Sequence, residues 1–238
     1  MNLKKLRNNK EHVMFVLRKI NVIQIVVFFV TVLAINGACK RNKYPLSTKK
    51  KELAMPADSG YLFNGINLDG WEITNFGPQG PVYVSGGSVI LGMGEGCTGI
   101  TWKGSFPENN YIVTLDAKRV SGNDFFCGIT FPVDSSFCSL IVGGWGGAVV
   151  GLSSINRLDA SENSTKTIMN FETGKWYNIC LLVKKDTIRA SIDRKVVVNF
   201  AIDGNRLSIR PEVQLSRPFG ITSWTTTAAI RNLKMKKL

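Results

Sequence analysis

Histidine is almost missing from this chain. The 238 residues hold one, His12, and it lies in an N-terminal segment unlike the rest. With that one imidazole in the leader, no His cluster and no CxxC pair, neither a His-based catalytic triad nor a Cys/His zinc site is expected. The five cysteines form no CxxC pair, which removes the thioredoxin-like redox motif as well. Segments of helical period are few, so a helical bundle is not expected. Disorder is excluded from the other side, by a hydrophobic content of 44% with 10% aromatics.

Acidic residues are also scarce, and the formal charge of +13 invites a nucleic-acid reading. Its distribution argues against one. Met1 to Ala57 holds 12 Lys and Arg against 2 Asp and Glu, which leaves 18 against 15 for all that follows. The excess therefore belongs to a leader and a linker, where it speaks of membrane orientation and anionic lipid; no nucleic-acid partner is expected. Lys4, Lys5, Arg7, Lys10, Arg18 and Lys19 precede an apolar run, Ile20 to Ile35, broken by Asn21 and Gln24. Gly37, Ala38 and Cys39 then close the leader with small residues. This is the order of a secretory signal, and residues 1–39 are read as one. The small residues before Cys39 resemble a bacterial lipobox in which that cysteine is lipidated, although Asn36 stands where an aliphatic residue is usual. Plain secretion and an uncleaved membrane anchor are the other readings, and Met14 is a second possible start. Residues 40–57 form a Lys-rich linker with Pro45 and Pro56.

From Asp58 the composition changes to short apolar runs separated by Gly, Asn, Ser and Pro, which predicts one all-β domain over 58–238, a two-sheet sandwich or barrel. Its centre is the stretch Asn123 to Gly151. Phe125, Cys127, Ile129 and Phe131 alternate with Phe126, Gly128 and Thr130. Turn residues follow from Pro132 to Ser136, and Phe137 to Val142 returns as a second strand of a hairpin. Pairing Phe131 with Phe137 would bring Cys127 near Ile141, so a Cys127–Cys138 disulfide is not expected. Cys180 reads as a small buried apolar residue. Ser85–Gly87, Lys184–Asp186 and Ile192–Lys195 read as further hairpin turns, the last two within a meander. Leu152 to Asn170 reads as a long polar loop beside the hairpin.

Several motifs in order carry a resemblance: Leu62 to Gly65, Leu68 to Trp71, Gly87 to Val89, Gly122 with Asn123, Gly174 to Asn178, and Ile230 to Leu233. Together they resemble the 3-keto-disaccharide hydrolase domain family from Tyr61 to Leu238. The resemblance implies a concanavalin-A-like jelly-roll β-sandwich, export, and action on oxidised sugars. It also implies that a structural calcium is admissible, although no EF-hand-like spacing is present; no cofactor or other metal is expected. Members often carry an acidic Tyr-Glu-x-Gln-like strand. Here that strand reads Phe137 to Val142 without a carboxylate, and the glycines around Trp145 replace its continuation.

Candidate chemistry follows from what a 3-keto glycoside needs. The ketone acidifies the neighbouring C–H, so one base and one electrophile suffice for elimination, where ordinary glycoside hydrolysis needs two carboxyl groups. Asp124 is the candidate base, with Arg157 or Arg119 as the electrophilic helper. Trp145 is the candidate sugar platform, and Asn123, Asn156, Asp159 and Glu162 are candidate ligand contacts. Each has a plainer reading: Asp124 as a cap on turn amides, Asp159 and Glu162 as solvated loop residues, Trp145 as core. Trp71 and Trp176 are expected in the core, while Trp102 and Trp224 are candidates for a groove. The expected function is thus an exported carbohydrate-active protein that binds, and in one reading cleaves, a 3-keto glycoside. The other reading is a lectin-like or structural envelope lipoprotein without turnover.

Overall fold

The computed structural model describes residues 60–238. The leader, Cys39 and the linker lie outside them. Among the described residues no helix is long and apolar enough to cross a membrane. In chain order the strands are β1 (Trp71–Ile73), β2 (Val82–Ser85), β3 (Ser88–Leu91), β4 (Cys97–Trp102), β5 (Tyr111–Gly122), β6 (Cys127–Val133) and β7 (Ser136–Gly144). They continue with β8 (Val149–Ser153), β9 (Thr167–Ile168), β10 (Trp176–Val183), β11 (Thr187–Ile192), β12 (Lys195–Ala201), β13 (Gly220–Trp224) and β14 (Thr226–Lys237). One short 3-10 helix, Pro211–Ser216, precedes β13.

Two antiparallel sheets of seven strands make a jelly-roll sandwich. The front sheet runs β1-β4-β13-β6-β7-β8-β9 and the back sheet β12-β11-β10-β5-β14-β3-β2. In β5 the alternation is clean, with Tyr111, Val113, Leu115 and Ala117 buried and Ile112, Thr114, Asp116 and Lys118 half-buried. The buried set meets Ile129, Phe131, Leu140, Val142 and Ile221 of the front sheet in one apolar core. Front strands behave differently: β6 and β8 are buried on both faces, because loops fold over the outer side.

The hairpin turns follow local rules. Gly86 with Gly87, and Asp193 with Arg194, hold positive φ at both central positions, the geometry whose twist matches paired strands. In the central hairpin the turn is tighter than the sequence pattern implies. β6 continues through Pro132 to Val133, which pairs with Ser136 across Asp134 and Ser135, so Phe131 lies opposite Cys138 and Cys127 opposite Val142. The register differs by one residue from the expected one, and the thiols of Cys127 and Cys138 remain free and buried.

Four further expectations need correction. Trp176 is half-buried on the outer face of the back sheet, its ring between Lys118 and Arg231, and Cys180 shares that face. Trp102 packs edge-on against the core residue Trp71, with ring centroids 5.2 Å apart. The polar stretch 154–166 is not a free loop. Asn163 and Thr165 are buried in it, the Asn163 amide donating to Leu152 O at 2.7 Å and the Thr165 hydroxyl accepting from Leu152 N at 2.9 Å. Polar residues here replace apolar ones as the means of pinning chain to sheet.

Phe131 is fully buried between the sheets. Replacing it with alanine is expected to cost about 3–5 kcal/mol, read as a lowered urea midpoint with an unchanged slope.

Candidate functional site

Much of the outer face of the front sheet is small residues, set among Phe137, Ile141, Val149 and Trp224. Gly99 and Thr101 on β4, Gly128 and Thr130 on β6, Ser139 on β7, Gly151 and Ser153 on β8, and Thr222 on β13 occupy it. Close approach fixes some of them: a Cβ at Gly128 would sit 2.6 Å from the Thr222 hydroxyl. Their size leaves a hollow of about 250 Å³ above the sheet. Ser139, Ser153, Ile141 and Cys97 line its base. Burial pushes the Cys97 thiol up to about 12, so it stays protonated at neutral pH and is no nucleophile.

Aromatic rings form one wall. Trp224 pairs in register with Cys97 and tilts against Phe125 at 6.4 Å between centroids. Trp145 stands on the turn between β7 and β8 and is 41% exposed. That turn is held in left-handed backbone conformations at Gly143, Trp145, Gly146 and Gly147. Two of its glycines have steric reasons as well, since a Cβ would meet the Arg119 guanidinium at 2.7 Å from Gly143 and the Asn123 carbonyl at 2.9 Å from Gly147. Asp124 ties the turn down from the other side. Its Oδ1 accepts from Phe125 N at 2.7 Å and its Oδ2 from Gly146 N at 3.3 Å, while its own N–H donates to the Thr226 hydroxyl at 3.1 Å.

The opposite wall comes from the 3-10 helix and the residue before it. Arg210 grips Glu212 with two N–H groups, at 2.7 and 3.3 Å, and its Nη1 donates to Asp159. Asp159 is positioned in turn by the hydroxyls of Ser153 and Ser154, at 3.1 and 2.9 Å. The hydrogen bonds from Arg210 hold the Glu212 carboxyl below the usual carboxylate range, and Glu212 raises the Arg210 guanidinium.

The hollow thus joins Asp124 and Trp145, two of the residues singled out from the sequence, and leaves others away from it. Arg119 is 6% exposed and lies behind the Trp145 turn, where its guanidinium donates to the carbonyls of Gly147, Asp124, Gly143 and Phe171. It holds the turn in place and does not line the hollow. Asn156 is exposed and clamps another loop, donating to Asn205 Oδ1 at 2.8 Å and accepting from Arg206 N at 2.9 Å. Arg157, Glu162 and Asn123 are exposed and do not line the hollow. Asp159 acts from behind Arg210. Arg210, Glu212 and Val213 were not singled out in the sequence. Nothing local marks them, because the 3-10 helix reaches the hollow only through the long crossover from β12 to β13. The floor did leave a trace, the Gly/Ser/Thr residues that alternate with core residues in five strands. Among the described residues no group of three or more His, Cys, Asp or Glu is arranged to hold a metal.

Residues 58–236 match the model of the 3-keto-alpha-glucoside-1,2-lyase-like domain. The chain belongs to that family. No curated protein matches it. Among solved structures, carbohydrate-binding module CBM66 from Bacillus subtilis is 15% identical, with 71% of this chain and 96% of the module covered at a TM-score of 0.50. A Bacillus subtilis protein with a galectin-like fold is 13% identical, with 71% and 90% covered at 0.52. Both show the fold of this lyase-like domain and nothing finer.

The Arg210–Glu212 pair gives the domain an acid-dependent component of stability. Because the folded-state value of Glu212 is depressed, that component is complete above the ordinary value of 4.5 and is lost as pH falls through the lowered one. The stability difference between the wild type and Glu212→Gln, from urea titrations across pH, should hold steady at neutral pH and shrink below about 4.5.

Proposed function

We propose that the hollow binds a sugar ring, and that the sugar is a 3-keto glycoside cleaved by elimination. One observation carries this reading: a half-exposed indole on a glycine turn stands beside the Asp124 carboxylate, across from Arg210. The indole and Trp224 offer faces to the axial C–H bonds of a pyranose, and the Ser139 and Ser153 hydroxyls below them offer polar partners. Arg210 has five N–H donors, of which three are used on Asp159 and Glu212. Two remain for a ligand oxygen. Its charge is already balanced by two carboxylates, which suits an uncharged sugar.

The chemistry then runs as follows. Asp124 takes the proton from C2, next to the C3 ketone. The C–H electrons pass into the ketone to give an enolate, whose oxygen Arg210 stabilises, and then return to form the C1–C2 double bond as the aglycone leaves C1 with its bonding pair and takes a proton from water, while Asp124 returns its own proton to solvent. The products are a 2-hydroxyglycal ketone and the free aglycone. Each Asp124 oxygen keeps a lone pair beyond the one its backbone amide occupies. The match to the lyase-like family supports this substrate class. The leader supports an exported protein held to a membrane through a lipidated Cys39.

A second reading, glycan binding without turnover, is favoured by one fact: both Asp124 oxygens already accept amide hydrogen bonds. Nitrophenyl 3-keto-α-glucoside separates the two. Elimination predicts nitrophenol release that Asp124→Asn lowers about 10²–10⁴-fold with binding retained, and that Trp145→Ala impairs through KM. Saturable binding with no product, unaltered by Asp124→Asn, would leave a binding module. Neither binding nor release of any glycoside would remove the carbohydrate reading.

A further inference from the structure

The surroundings of the hollow and the outer face of the back sheet carry opposite charge. Around the hollow stand Asp124, Asp159 and Glu212 against Arg210. The outer face of the back sheet is the reverse. Register places Lys118 and Asp116 on β5, Arg189 on β11, and Arg231, Lys234 and Lys236 on β14 on that side. Asp116 is the one carboxylate among these outward strand positions, and Arg231, Asn232 and Asn178 already hold it, at 3.3, 2.7 and 2.9 Å. The turns at the two ends of β11 do not offset the excess, since Lys184 and Lys185 precede Asp186 and Arg194 follows Asp193. At the centre, Trp176 lies half-buried with the Lys118 ammonium 4.6 Å and the Arg231 guanidinium 4.0 Å from its ring. An indole ringed by cations is the composition of a membrane–water interface.

A separate observation concerns where the preceding chain joins. Gly60 accepts a hydrogen bond from Met235 N at 2.7 Å, Tyr61 bridges to Lys234, and the Lys234 ammonium sits 4.1 Å from the Tyr61 ring. The segment before Gly60 therefore meets the fold at the basic end of β14. That segment carries Lys40, Arg41, Lys43, Lys49, Lys50 and Lys51, and before them the apolar run Ile20 to Ile35. The same chain thus supplies a membrane-seeking stretch, a basic tether, and a basic sheet face beside the tether's attachment.

We propose that the outer face of the back sheet docks on an anionic phospholipid surface, with the hollow directed away from the membrane. The face sets the domain's orientation, through charge complementarity that is screened by salt. This does not depend on what the hollow binds.

The full chain bound to vesicles tests it. On equimolar phosphatidylglycerol and phosphatidylcholine, amine acetylation read by mass spectrometry should be slowed at Lys118, Lys234 and Lys236 and unaffected at Lys103 and Lys166. On phosphatidylcholine alone the five should label as they do in solution, and high salt should abolish the protection. Each basic residue is worth about fivefold in affinity at an anionic surface, so Arg189→Glu with Lys236→Glu should remove most of the protection of Lys118 while the circular dichroism spectrum is unchanged. Equal labelling of Lys118 on the two vesicles overturns the proposal. So does equal protection by dextran sulfate on neutral vesicles, which would make the face a general polyanion surface.

Discussion

A buried guanidinium holds the working end of this domain together. Arg119 occupies a core-facing position of β5, where the alternation that gives Tyr111, Val113, Leu115 and Ala117 calls for an apolar side chain. Burial disfavours its charge and lowers its value from the usual guanidinium range. The cost is offset by backbone carbonyls that converge from Asp124, Gly143, Gly147 and Phe171, and by the Phe126 ring at 5.2 Å. A planar fork of donors can serve several carbonyls at once, which a single ammonium cannot do as well. These carbonyls belong to the segments that carry Asp124 and Trp145. The rim of the hollow and the interior of the sandwich are therefore one hydrogen-bonded unit.

The hollow itself is a consequence of what the front sheet omits. A sheet with one face on the core usually leaves the other to water. Here glycines and hydroxyls stand on the outer face among a few larger side chains such as Ile141 and Trp224, and polar loops cover it from both sides. Buried Asn163 and Thr165 fasten one cover to β8, and Thr101 fastens the other by donating to Leu215 O at 3.0 Å. Between the two covers the sheet stays open over Ser139 and Ser153. Aromatic rings reach that gap from one side and an ion-paired Arg210 from the other, so a ligand there meets flat apolar faces and fixed donors with little free charge.

Much of the fold was legible because strand periodicity and turn chemistry are local. β10, β11 and β12 begin and end where alternation and the turns Lys184–Asp186 and Asp193–Arg194 say they should. The central hairpin was visible as a hairpin, yet its register was not. A proline within a strand looks like a turn signal until its position opposite Phe137 is seen. Trp176 was misassigned for a similar reason, since a tryptophan in a structural motif packs against whatever its face meets, and its face meets Lys118 and Arg231.

The sequence by itself determined one many-stranded all-β domain, a basic N-terminal segment before a nearly neutral remainder, and a glycine-bracketed tryptophan near an aspartate. Each is a property of neighbouring residues. Only the tertiary structure decided which charged groups share a space. Arg119 went behind the turn and Arg157 to the exterior, while Arg210 and Glu212 came to the hollow across a crossover of some twenty residues, because pairing of β13 between β4 and β6 carries the preceding segment over the front sheet. Long-range strand order has no local signature, and it is strand order that brings a cation opposite the indole.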